Sequence, residues 1–201
     1  MLLLAPSLKP IGGIETAGRV AWEGLERYCA SASRTAYLFS YGRHASDRNG
    51  LFPVPTVTAE SKVSAILQAA SRRWPVSGVL VWHLGLLKLL PFFRLRTARI
   101  ALFLFGIEAW KTLDPVTRWL LRRVSLFLTD SDHTWQRFLR FNPDFSGSPH
   151  LTIHLGIGSP VLGSLRSPQE PPAILMVGRL QRSEDYKGHR EVIAAWPRVL
   201  Y

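Results

Sequence analysis

The chain opens on an apolar run, Leu2 to Ala5, and after Gly12 and Gly13 its apolar residues recur at Ile14, Ala17, Ala21, Leu25 and Tyr28. That order predicts a short buried strand, a glycine turn and an amphipathic helix. TAYLFSY (35–41) reads as a second strand and leads into a polar loop containing Gly42, Asp47, Asn49 and Gly50. Helical spacing returns between Glu60 and Trp74 through Val63, Ile66, Leu67 and Ala70, and Pro75 stops it.

Three apolar runs follow: GVLVWH (78–83), RIALFLF (99–105) and VSLFLT (124–129), each with a polar turn and a helix-like segment after it. A fourth run, LTIHLGI (151–157), extends the series. None alternates apolar with polar, as expected of strands buried on both faces. Such strands separated by helices predict an α/β fold, a Rossmann-like parallel sheet with helices on both faces.

The pattern changes at GSPVLGSLRSPQEPP (158–172), where Gly, Ser and Pro mark a linker. Residues 1–157 are therefore predicted to form one domain. Residues 173–201 are predicted to supply the first strand, loop and helix of a second, from AILMVG and HREVIAAWPRVL.

Composition narrows the partners. Of 201 residues, 47% are hydrophobic and 19% charged, a globular balance. Lys and Arg number 25 against 14 acidic residues, a formal charge of +11 that favours an anionic partner: phosphate, nucleic acid or anionic lipid. The basic residues are scattered, with short clusters such as Arg72-Arg73 and Arg122-Arg123 and no zinc-finger spacing, so nucleic acid is not expected. The single cysteine, Cys29, lies in a helical pattern, which predicts a buried thiol and fits a reducing cytoplasm. MLLLAPSLKP lacks the basic start of a signal peptide, and the apolar stretch from Val79 to Phe105 is broken by His83, Lys88, Arg94, Arg96 and Arg99, so no membrane span is expected.

Ligands of open parallel sheets bind at the carboxyl ends of the strands. Gly12 and Gly13 follow the first strand and either form a plain tight turn or let a phosphate approach the helix behind them, although the GxGxxG fingerprint is absent. Glu108 follows RIALFLF with Lys111 beside it, a carboxylate that can orient a hydroxyl or pair with the lysine. Asp130, Ser131 and Asp132 follow VSLFLT, where they can cap a helix or face a cleft. Arg179 and Lys187 flank a loop between the last strand and helix, a pairing suited to clamping a diphosphate. His150 and His154 are expected on one strand face without a third ligand, so no metal is predicted.

GGIE near the start, FGIEAWK, TDSDHT, HLGIG before the linker and VGRL…YKGHREVIAAWP after it occur in the order found in one family. The chain resembles the glycosyltransferase family 4 enzymes of the two-Rossmann-domain (GT-B) fold, especially those of exopolysaccharide and lipopolysaccharide synthesis. The resemblance implies a retaining transfer of sugar from a nucleotide-sugar donor to a glycan or lipid-linked acceptor, with no metal and no other cofactor. Its expected place is the cytoplasm, peripherally at the inner face of the cell membrane. It implies that Gly12 and Gly13 approach the donor phosphates, that Arg179 and Lys187 neutralise the leaving diphosphate, and that Glu108, as the catalytic carboxylate, and Ser131 face the cleft. Phe105 stands where the family has a cleft histidine, and the family's paired glutamates would fall beyond Tyr201. The resemblance thus also implies a truncated chain, inactive alone, that needs a C-terminal-domain partner.

A noncatalytic, degenerate binding or scaffold protein is the alternative. A nucleotide-sugar epimerase or dehydrogenase is disfavoured by the missing GxGxxG. The stretch LGLLKLLPFFRLRTAR (84–99) mixes Leu and Phe with Lys88, Arg94, Arg96 and Arg99, and predicts contact with an anionic membrane surface, or else a helix packed on the sheet.

Overall fold

The computed structural model describes residues 1–8, 12–42, 55–95, 97–156, 175–176 and 188–198. The chain divides into two compact units, Met1–Pro160 and Val161–Tyr201.

In the first unit the apolar runs become strands β1 (Leu2–Pro6), β2 (Tyr37–Tyr41), β4 (Gly78–Val81), β5 (Arg99–Leu104) and β6 (Leu126–Thr129). Two short strands complete the sheet: β3 (Val57–Ala59) and β7 (His150–Thr152). All pairings are parallel, in the order β3-β2-β1-β4-β5-β6-β7. The strands thus form the predicted Rossmann-like parallel sheet, with seven strands among the described residues. Strand order reverses between β1 and β4, so these two carboxyl ends border the crevice where doubly wound folds bind ligands.

The five inner strands, β1, β2, β4, β5 and β6, divide their side chains between two cores, because successive residues point to opposite faces. Leu2 and Leu4 join Phe39, Val79, Val81, Leu102, Leu104 and Phe127 on one face, while Leu3 and Ala5 join Leu38, Phe103 and Leu128 on the other. The first face is covered by helices α2 (Lys62–Ser71), α3 (Pro115–Leu121) and α4 (Asp132–Phe141) and by a 3-10 stretch, Leu84–Phe92. The second is covered by α1 (Gly13–Ser31), with Ala17 and Trp22 buried. Right-handed crossovers explain the split: the connection leaving β1 runs toward one sheet edge and those after β3 toward the other, so they fall on opposite faces. Cys29 is buried and free, as its helical position predicts.

Three sequence expectations need correction, and for the stretch 84–99 the packed one of two alternatives holds. The buried residues of α2 are Ala65 and Ala69, whereas Val63 and Leu67 are 67% and 63% exposed. Helical spacing identified the helix but not which of two apolar stripes faces in, and the smaller alanines allow close approach to the sheet. LTIHLGI is not a doubly buried strand: β7 is a three-residue edge strand, with Leu151 52% exposed, so His154 lies outside it and shares no strand face with His150. The leucines of 84–99 are core, with Leu84, Leu86, Leu87, Leu89 and Leu90 all buried, and Lys88 pairs with Asp114 at 3.1 Å. That stretch packs on the sheet and has no leucine face to offer a membrane. Finally β3 lies in what reads as loop, since a three-residue strand carries too few positions for a periodicity.

In the second unit, α5 (His189–Ala195) starts after Gly188, whose φ of 77° is left-handed and suits glycine. Within AILMVG only Leu175 and Met176 are described; they are exposed and outside any strand. A strand needs a hydrogen-bonded neighbour, and none of the described residues of this unit provides one.

Candidate functional site

The crevice begins with α1. Its N-cap is Gly12, in extended conformation (φ −152°) and with no side chain to cap the helix. Neither Gly12 nor Gly13 adopts a backbone conformation reserved for glycine. Among the described residues, a β-carbon on Gly13 would meet nothing within 4 Å, and one on Gly12 would meet only the end of the Glu15 side chain. The two glycines therefore leave the helix N-terminus bare, where the first backbone N–H groups lack intrahelical acceptors and the helix dipole favours an anion. The carboxylate of Glu15 lies over this end and is the local competitor for an anionic ligand.

Trp82, directly after β4, fixes α1 to the switch point. Its indole N–H donates to the Ile14 carbonyl at 2.9 Å. Gly18 lets the indole in, since a β-carbon there would come within 2.8 Å of Trp82 Nε1. Next to it His83 accepts from the Gly85 N–H through Nδ1 at 3.0 Å, which leaves Nε2 as the protonated nitrogen of the neutral ring. His83 thus stands at the carboxyl end of β4 with one nitrogen committed. Sequence reading used it only as a break in an apolar run; the signal was the polar residue closing GVLVWH.

Beyond β5, Phe105 stacks on Phe103 (ring centroids 4.6 Å apart) and meets Trp82 edge-on (5.2 Å). It is half-buried and extends the aromatic packing beneath α1. Glu108 does not pair with Lys111. Its Oε1 accepts from the backbone N–H groups of Phe105 (2.6 Å) and Gly106 (3.2 Å), so the carboxylate ties the loop into a turn. Gly106 has φ +149° with the Trp110 ring against it, a position where a side chain would be strained. Trp110 in turn meets His133 edge-on at 5.5 Å and lies under Arg137 at 5.7 Å, joining the Glu108 loop to α4. The sequence gives no local cue for this contact, which links residues from separate connections.

Ser131 is the N-cap of α4, accepting from the Thr134 N–H at 3.3 Å and lying 3.3 Å from Asp130 Oδ1. It does what serine does at helix starts. Behind it, His150 stacks face to face on Trp135 (4.2 Å, 2° between planes), and its Nε2 lies 2.8 Å from Thr129 Oγ1. Burial pushes the His150 pKa below 6.5, against the opposing pull of the Asp132 carboxylate. Among the described residues no three His, Cys, Asp or Glu side chains come together in a form that could hold a metal. Arg179 and Lys187 lie outside the described residues.

The structure therefore brings Gly12, Gly13, Trp82, His83 and Phe105 around one end of the sheet, with the Glu108 turn and the Ser131 cap on the adjoining strand ends. No family model matches the chain, and no curated protein matches it. Among solved structures it is similar to an alpha-glucosyltransferase in complex with UDP and a 13-mer DNA containing a central A:G mismatch, at 12% identity and a TM-score of 0.38. The similarity covers 66% of this chain and 37% of that one, so the chain spans little more than a third of that protein's length.

Proposed function

We propose that the chain is the first, acceptor-side domain and the beginning of the donor-side domain of a retaining nucleotide-sugar glycosyltransferase. It moves a sugar to a glycan or lipid-linked acceptor of the cell envelope or an exopolysaccharide. Gly12 and Gly13 admit the donor phosphates to the end of α1, Arg179 and Lys187 neutralise the departing diphosphate, and the transfer needs no metal. Neutralisation matters because negative charge grows on the leaving group as the glycosidic bond breaks. The observation that carries this reading is the uncapped α1 N-terminus at the β1/β4 switch point: neither glycine is demanded by its backbone angles, and among the described residues both leave space before a nineteen-residue helix.

Calorimetric titration with UDP, GDP and ADP, each as the free diphosphate and as a sugar conjugate, tests it with the Gly13→Ala variant as control. A methyl group at Gly13 touches no atom of the described residues, so melting should be unchanged to within about 1 kcal/mol. Nucleotide affinity should fall at least severalfold as the methyl displaces phosphate. No binding of any of these ligands, or identical binding by Gly13→Ala, would remove the reading.

A second reading is favoured by Phe105 and Glu108. One is packed in an aromatic stack and the other is held by its own loop, as in a noncatalytic module that binds a nucleotide sugar or a partner transferase without turnover. Nucleotide binding with no sugar transfer in the presence of a complete donor-side domain would select it.

A further inference from the structure

The connection after β5 and the first turns of α4 carry donors that the fold itself does not use. Trp110 and Arg137 are both half-buried. The indole Nε1 and the guanidinium Nε are enclosed, yet neither meets a hydrogen-bond acceptor among the described residues. The two groups belong together: the Arg137 guanidinium lies over the Trp110 ring at 5.7 Å, and His133, one turn earlier on α4, meets that ring edge-on at 5.5 Å. The ring also packs on Gly106, where a β-carbon would sit 3.3 Å from Trp110 Cζ2.

The carboxylates on these segments are engaged elsewhere. Glu108 holds its own loop, Asp130 accepts from the Ser131 hydroxyl and Asp132 from the Thr152 hydroxyl. Among the described residues no carboxylate pairs with Arg137. A buried N–H without an acceptor loses its contacts with water and gains nothing in return, so native folds supply a partner from protein, water or ligand. An indole N–H and a guanidinium can only donate, so the partner of both is an acceptor. Water can accept from each but leaves the arginine's charge unanswered, and exposed Lys111, next to Trp110 in the chain, adds a second positive charge.

We propose that Trp110 and Arg137 form an oxyanion site that takes a phosphate or carboxylate group, with the guanidinium and the indole N–H donating to its oxygens and exposed His133 beside it. Guanidinium binds such groups through charge-assisted hydrogen bonds, which are the strong ones. A neutral sugar hydroxyl fits less well, since it would leave a half-buried charge unpaired. The site lies off the carboxyl ends of β5 and β6, at the pole where open parallel sheets bind ligands. It uses none of the residues at the end of α1, so it stands or falls independently of the nucleotide-sugar reading.

Titration of the full chain with inorganic phosphate, a hexose phosphate and acetate tests it, at constant pH and with chloride at matched ionic strength as the control. The readout is the set of indole N–H signals in a nitrogen–proton correlation spectrum. The Trp110 signal, identified by its loss in Trp110→Phe or by through-bond assignment in the parent, should move downfield and saturate as its proton finds an acceptor. Arg137→Gln should weaken phosphate binding about tenfold by removing a charge-assisted contact, and Arg137→Lys, which keeps the charge without the Nε–H, should recover part of that loss. Phosphate should raise the melting temperature of the parent more than that of Arg137→Gln. Movement with either the free ion or the ester supports the site, and the tighter of the two names the source. No movement of the Trp110 signal with any of the three anions, the same movement with chloride, or equal affinity in Arg137→Gln and the parent would each overturn the proposal.

Discussion

Glu108 shows how one side chain can answer two different questions. Its Oε1 takes two backbone donors, so Glu108→Ala should cost about 2 kcal/mol of stability by leaving both N–H groups unpaired, whereas Glu108→Gln, whose amide oxygen can still accept, should cost less than half of that. Chemical denaturation of the two variants measures the difference; equal losses would mean that the turn is held by something else. A transfer assay of Glu108→Gln then isolates the charge, because the loop survives. Phe105→His addresses the neighbouring residue. It replaces a ring stacked on Phe103 and Trp82 by a smaller, more polar one, and should lower stability by about 1–2 kcal/mol. If Phe105 is a lesion in a working site, the same change raises transfer in a chain completed with its donor-side domain.

Two titrating residues give the fold a pH signature. His150 is held below 6.5 by burial, so the unfolded chain takes up the proton more readily than the folded one. Its influence is absent at high pH, and stability falls as the pH drops below 6.5 toward the folded value. Asp114 acts in the same sense but in a more acidic window. The Thr117 hydroxyl, then the Thr117 N–H and Lys88, hold its carboxyl well below the usual range, so its contribution is present above 3.8 and disappears as the pH falls toward the folded value. Melting temperatures between about pH 7.5 and pH 5 should therefore decline for the parent and decline less for His150→Asn, with Asp114 unchanged over that window. Identical slopes for parent and variant would show that His150 is not the group responsible.

Among the elements, the helix starts are set by local chemistry. Ser61, Asp114 and Ser131 each accept from a backbone N–H three residues ahead. Ser131→Ala should cost about 1 kcal/mol, read as a lowered denaturation midpoint, and Ser131→Asp should restore it. α1 differs, since Gly12 brings no cap. Glu15→Gln, which removes the negative charge over that end, should raise the affinity for nucleoside diphosphates if they bind there. Unchanged affinity would place the anion elsewhere. Strand β7 marks the limit of sequence reading at this scale. The run 151–157 resembles β5 in apolar composition, yet only its start joins the sheet edge, and Leu151, Ile153 and Leu155 are exposed.

For the whole molecule, the seven strands and two buried cores of the described residues belong to Met1–Pro160. Residues 1–160 expressed alone should therefore melt cooperatively, within a few degrees of the full chain; a non-cooperative transition would mean that the sheet depends on residues beyond 160. Parallel pairing sends every strand end with Gly12, His83, Glu108 or Ser131 after it one way, and the arginine-lined amino ends the other. Among the described residues no helix is long and apolar enough to cross a membrane.

Sequence alone determined the class of fold, because uninterrupted apolar runs separated by helical periods leave few arrangements other than a parallel sheet covered by helices. It also placed Gly12, Gly13, Glu108 and Ser131 after strand ends, since a change from apolar to polar residues is local. Tertiary structure decided what those residues touch. The choice between Ala65 and Val63 as the inward stripe, the burial of the leucines at 84–90, and the joining of Phe105 to Trp82 or of Trp110 to His133 all depend on which elements become neighbours. Periodicity records how often a chain turns an apolar side toward something. Only packing, through strand order and the handedness of the crossovers, settles what that something is.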